Sequence, residues 1–86
     1  YDDLVAREIA LVKLQAPASI RAEIMQVASV FHAEVASISP QEDTMILEFT
    51  GEESRIDAFL ETLAPYHIVE MVRTGKIALV RGSRLT

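Results

Sequence analysis

The sequence predicts an α+β domain in which two helices cover one face of an antiparallel sheet. Three observations predict it. Half of the 86 residues are hydrophobic, enough for one modest core and too few residues for two. The apolar period switches between two and about 3.6 residues along the chain, in the order β-α-β-β-α-β. Residues 8–15, EIALVKLQ, are apolar on nearly both alternate sets, Ala10, Val12 and Leu14 against Ile9, Leu11 and Lys13. A strand with one wet face alternates apolar and polar, so this one reads as an inner strand with cover on both sides.

The elements follow in order. Residues 1–7 form an acidic lead, helix-friendly or loop-like, and residues 8–15 are the first strand. Pro17 stops the extended run, and Ser19 is placed to cap a helix. Ile20, Ile24, Val27, Ala28 and Phe31 recur at helical spacing, with Arg21, Glu23 and Gln26 on the other side, giving an amphipathic helix of about three turns. Residues 33–39 form a strand with Ala36 and Ile38 on one side and Val35 and Ser37 on the other. Pro40, Gln41, Glu42 and Asp43 make a polar turn. In residues 44–50, Met45, Leu47 and Phe49 alternate with Thr44, Ile46 and Glu48, which closes a β-hairpin.

Thr50, followed three residues later by Glu53, has the pattern of a capping box. Glu52 and Glu53 suit the positive end of a helix dipole. Ile56, Phe59, Leu60 and Leu63 form the buried stripe of that second helix, and Pro65 ends it. Residues 67–74, HIVEMVRT, are the fourth strand, with an ambiguous phase. Gly75 turns the chain, residues 76–80 form a further strand or one helical turn, and the end from Arg81 is loose. The domain proper is expected over residues 8–82, with 83–86 as a tail.

This order is the split βαβ, or ferredoxin-like, arrangement, a four-stranded sheet with the first and third strands inside and the second and fourth at the edges. Both helices then lie on one face. The opposite face is expected to carry Ile9, Leu11, Val35 and Ile46, with Lys13, Ser37 and Glu48 interspersed. Several aliphatics on a bare sheet face usually mark an interface, so the residues by themselves predict a domain that associates.

Composition excludes several classes. The net charge is −5, with eight basic residues against thirteen acidic ones, and no basic stripe of the kind nucleic acid requires. Nucleic acid and anionic membrane are therefore poor partners. Without cysteine there is no disulfide framework, thiolate nucleophile or Cys-ligated zinc, which fits a reducing compartment. No apolar run approaches the roughly 20 residues of a membrane span, and no signal peptide is visible.

The candidate chemistry is sparse. His32, Glu34 and His67 are the types that bind zinc or nickel, but their spacing favours two histidines at loop ends. Glu42, Asp43, Glu52 and Glu53 read as solvated turn and cap residues rather than acids of a catalytic pair. The run Arg73-Thr74-Gly75-Lys76 offers two cations around a glycine, which suits an anion or another chain's carboxylate or, more simply, a turn ending the strand. No nucleophile triad, dinucleotide fingerprint or P-loop is present.

Three stretches carry a resemblance: REIALVKLQA at 7–16, RAEIMQVASVF at 21–31, and VEMVRTGKIALVRG at 69–82. They resemble the C-terminal domain of the small, regulatory subunit of acetohydroxyacid synthase, also called acetolactate synthase, an enzyme of branched-chain amino acid synthesis. The resemblance implies a non-catalytic domain that follows an N-terminal ACT domain, so residues 1–7 are expected to end a linker from that domain. It implies a catalytic subunit as partner, which carries thiamine diphosphate, Mg²⁺ and FAD, so this domain holds no cofactor of its own. It also implies a homodimer or packing on the ACT domain, and a home in bacterial cytoplasm or plastid stroma. The ACT domain's glycine-bearing ligand loop has no counterpart here, so no inhibitor-contacting residue is carried over. A small-ligand or metal sensor and a small enzyme are the other classes this fold admits.

Overall fold

The computed structural model describes residues 4–85. Its longest strand, β1 (Leu4–Gln15), is the one on which the rest is assembled. It is followed by α1 (Ala18–Phe31), β2 (Glu34–Ser39), a 3₁₀ turn at Pro40–Glu42, β3 (Thr44–Gly51), α2 (Glu53–Leu63), β4 (Ile68–Arg73) and β5 (Ile77–Val80). The strands line up as β2-β3-β1-β4, all neighbours antiparallel, with β5 on the first part of β1. The inner and outer strands are those the sequence predicts. The sheet has five strands, however, not four.

The alternation of β1 decides the layering. Ala10, Val12 and Leu14 are fully buried on the helix side, where Met45, Leu47 and Phe49 of β3 join them. Ile24 and Ala28 from α1 and Ile56, Phe59 and Leu63 from α2 complete the core. Each Val, Leu, Ile, Met or Phe side chain among them contributes about 1.5–3 kcal/mol on removal from water. Phe31, Phe49 and Phe59 stack edge-on or tilted, with centroids 4.8–6.0 Å apart, in the range that aromatic pairs favour.

Both helix starts differ from expectation. Pro17, at φ −63° and ψ 156°, is the N-cap of α1. The helix begins at Ala18, so Ser19 is already inside it and caps nothing. Thr50 does not cap α2 either, because β3 runs on through Gly51 to pair Thr50 with Ile9 and Gly51 with Glu8. Glu52 occupies the N-cap without a side-chain hydrogen bond. The sheet's hydrogen bonds outcompete the capping box for those residues.

The start and end of the chain also differ. Leu4–Arg7, expected as helix-friendly or loop-like lead, is strand and pairs with Ile77–Val80. Gly75 does not reverse the chain: β4 and β5 both run antiparallel to β1, from Ala10↔Arg73 to Arg7↔Ile77. Thr74, Gly75 and Lys76 therefore stand opposite two residues, Glu8 and Ile9, as an extra-residue kink of the β-bulge kind. Gly75 supplies the positive φ, +76°. Thr74 bridges the gap, its N–H donating to the Ile9 carbonyl (3.0 Å) and its Oγ1 accepting from the Ile9 N–H (3.1 Å). Beyond the kink, β1 and β5 leave the sheet as a two-stranded ribbon. The molecule measures 50 × 19 × 17 Å.

Candidate functional site

The sheet face away from the helices lies open. Leu11 stands there between Glu48 on β3 and Val72 on β4, and Lys13 between Ile46 and Glu70. Leu11 is 41% exposed and Val72 62%. Ile9 and Ile46 are half-buried on the same face. Val69 borders a shallow hollow there with Lys13, Ser37 and Ile46. Lys13 Nζ bonds Glu70 Oε1 at 2.9 Å across the face, and its hydrogen bond holds the Glu70 carboxyl below the ordinary carboxylate value.

Three of the four predicted face residues, Ile9, Leu11 and Ile46, are brought together. Val35 is not. The β2–β3 register shifts between Val35 and Ser37, setting Val35 opposite Leu47 and Ser37 opposite Ile46. Since Leu47 is a core residue, Val35 turns to the helix side. The sequence missed Val69 and Val72 because the β1–β4 register also shifts, between Lys13 and Leu14. A bulge on each edge strand defeats a period-two reading.

Arg73 is corrected as well. It lies opposite Ala10 on the helix side, and its guanidinium is held by the chain itself. Nε and Nη2 donate to the two oxygens of Glu8 at 2.7 and 2.8 Å, and Nη1 donates to Asp57 of α2 at 2.9 Å. With those donors engaged, Arg73 is a brace between β4, β1 and α2 rather than an anion contact. Glu8, 4% exposed, is the buried charged residue this brace requires. The Arg73 hydrogen bonds lower the Glu8 carboxyl below its ordinary value, against the opposing effect of burial and with help from the Gly75 backbone. The same contacts push Arg73 upward. Lys76 is exposed and lines a hollow beside the ribbon together with Arg7 and Arg81.

The histidines have backbone roles. His32 ends α1 in the left-handed conformation, φ 59°, its N–H donating to Ser29. The His67 carbonyl accepts the Gln15 N–H at 2.9 Å. Glu42 lies in the 3₁₀ turn, Asp43 ends it at φ 54°, and Glu52 and Glu53 start α2. Among the described residues no three His, Asp or Glu side chains gather as a metal site, and no helix is long and apolar enough to cross a membrane.

A ferredoxin-like α+β domain with one face open and a β-ribbon extending its central strand is thus the class of protein on view. Its relatives narrow this to one family. Residues 7–82 match the family described as the small subunit of acetolactate synthase, and the chain belongs to it. It is 44% identical over 81 residues to a probable acetolactate synthase small subunit of Methanothermobacter thermautotrophicus, covering 93% of this chain and 47% of that one. It is 40% identical over 81 residues to the acetolactate synthase small subunit of Bacillus subtilis, covering 94% and 46%. The crystal structure of the Thermotoga maritima acetolactate synthase small subunit superposes with a TM-score of 0.82 at 30% identity, over 96% of this chain and 50% of that one. The chain spans about half the length of the curated relatives it matches.

Proposed function

We propose that this domain is a non-catalytic, regulatory part of acetolactate synthase that holds subunits together and helps transmit activation and feedback inhibition to the catalytic subunit. The observation that carries the reading is the open sheet face, where Leu11, Val69 and Val72 are exposed beside Ile9 and Ile46. Contiguous aliphatics on a sheet face favour burial against another surface. The candidates for that surface are a second copy, an ACT domain of the same subunit and the catalytic subunit. Family membership supports the catalytic subunit as the ultimate partner. On this reading thiamine diphosphate, Mg²⁺ and FAD belong to that subunit. Inhibitor bound elsewhere shifts the small subunit between arrangements, and differential contacts of this domain carry the shift.

The test is reconstitution of the holoenzyme from catalytic subunit and full-length small subunit, with Leu11→Lys in the latter. The expected result is weaker association, less activation and blunted inhibition. Unchanged association, activation and inhibition would overturn the reading.

A further inference from the structure

The cations of this acidic chain are unevenly placed. Lys13, Arg21 and Arg73 are paired with carboxylates of the chain itself. Arg7, Arg55, Lys76 and Arg81 have no ion pair among the described residues, and all four line two adjoining hollows where the β1–β5 ribbon meets the start of α2. The hollows share Arg7 and Glu52 and have volumes of ≈ 460 and ≈ 360 Å³. Arg55 packs over the Phe49 ring at 5.7 Å. The opposing charges on the rim are Glu52 and Glu53, since Glu8 is taken up by Arg73.

An edge of β1 that is unpaired among the described residues runs along the same groove. The register of β3 on β1 stops at Glu8↔Gly51, after which the chain turns into α2. Over Leu4–Arg7 only β5 pairs with β1 among the described residues. Ile9 turns its N–H and C=O toward Thr74. By the alternation of an antiparallel strand, the main-chain groups of Leu4 and Ala6 point to the other, unpaired edge. The Ala6 carbonyl accepts a hydrogen bond from Arg7 Nη1 at 2.7 Å, so a side chain stands in for one of the missing partners.

We infer that this groove takes an extended, carboxylate-bearing segment of a partner polypeptide, added as a strand on the Leu4–Arg7 edge in line with β3. Main-chain bonds to an open edge supply affinity in such additions, and side-chain contacts supply specificity. Four separated cations suit carboxylates spaced along an extended chain. The site is distinct from the open sheet face, and it rests on the functional reading above only for the identity of the partner, the catalytic subunit.

The test measures binding of full-length small subunit to catalytic subunit at several salt concentrations. Variants are the exposed pair Lys76→Glu/Arg81→Glu and, separately, Ala6→Pro, which removes an N–H from the free edge and none from the ribbon. The charge reversal is expected to slow association about tenfold and to flatten its salt dependence, as loss of steering charges does. Ala6→Pro is expected to weaken binding while the salt dependence stays. Wild-type binding with the charge-reversed variant unchanged at every salt concentration would overturn the groove and leave the regulatory reading standing. A wild-type small subunit that does not bind catalytic subunit would overturn both.

Discussion

Glu8 and Arg73, 65 residues apart in the chain, meet in a two-pronged ion pair at 2.7 and 2.8 Å. The pair fixes β4 to β1 just before the Thr74–Gly75–Lys76 kink, and Asp57 extends it to α2. Removing one partner from a buried pair leaves the other charge unmatched. Arg73→Ala is therefore expected to lower the melting temperature clearly more than Lys13→Ala. Lys13 belongs to an exposed pair with Glu70, and exposed pairs contribute little. Thermal unfolding of the two variants side by side makes the comparison.

The same pair sets an acid limit. Arg73's hydrogen bonds lower the folded-state Glu8 carboxyl below its ordinary 4.5, and Lys13 does the same for Glu70. A depressed carboxyl contributes stability that is fully present above its unfolded value and is lost as pH falls through the folded one. Melting temperature measured from about pH 7 down to about pH 3 is expected to drop in that window. Glu8→Gln should start lower and fall less steeply with acid.

Two neighbours on β1 should respond in opposite ways. Val12 is fully buried and Leu11 is 41% exposed. Val12→Lys places an unmatched charge in the core and is expected to cost more than about 3 kcal/mol. Leu11→Lys faces Glu48 across the strand pair and is expected to cost no more than about 1 kcal/mol. Urea denaturation of both variants checks this.

The glycines separate as cleanly. Gly75 has open space around a would-be Cβ but a φ of +76°, whereas a Cβ on Gly51 would meet Phe49 at 3.4 Å without a positive φ. Gly75→Ala is expected to cost about 1–2 kcal/mol from backbone strain alone. Gly51→Ala should be close to neutral. Denaturant midpoints of the two variants decide.

Phe59 sits fully buried between Phe31 and Phe49. Phe59→Ala is expected to cost about 3–5 kcal/mol, the usual penalty for a core cavity of that size. Equilibrium unfolding would show it as a lower midpoint.

The element order, the inner strands and the core were legible because strong periodicity marks them: Met45, Leu47 and Phe49 on β3, and Ile56, Phe59 and Leu63 on α2, are all buried. What escaped was every place where the chain departs from a period. Val35 changes face because of one bulge, and Val69 and Val72 were unreadable behind another. Thr50 looked like a cap because local pattern carries no information about Ile9, its strand partner from far earlier in the chain. Arg73 looked available because its partner Glu8 is invisible from the run Arg73-Thr74-Gly75-Lys76. Three of the five aliphatics on the open face, Ile9, Leu11 and Ile46, were thus readable from side-chain alternation, and the groove beside the ribbon was not. That groove depends on Leu4–Arg7 being strand, which only the pairing with β5 reveals.

The central strand has a further consequence, for synthesis. β1 is made before its partners β3, β4 and β5, and β5 ends at Val80. Until the chain has grown that far, one edge of an apolar strand waits on the ribosome without its mate. Such edges are where nascent chains stick to one another. Truncation before β4 should therefore yield insoluble product instead of a smaller folded unit.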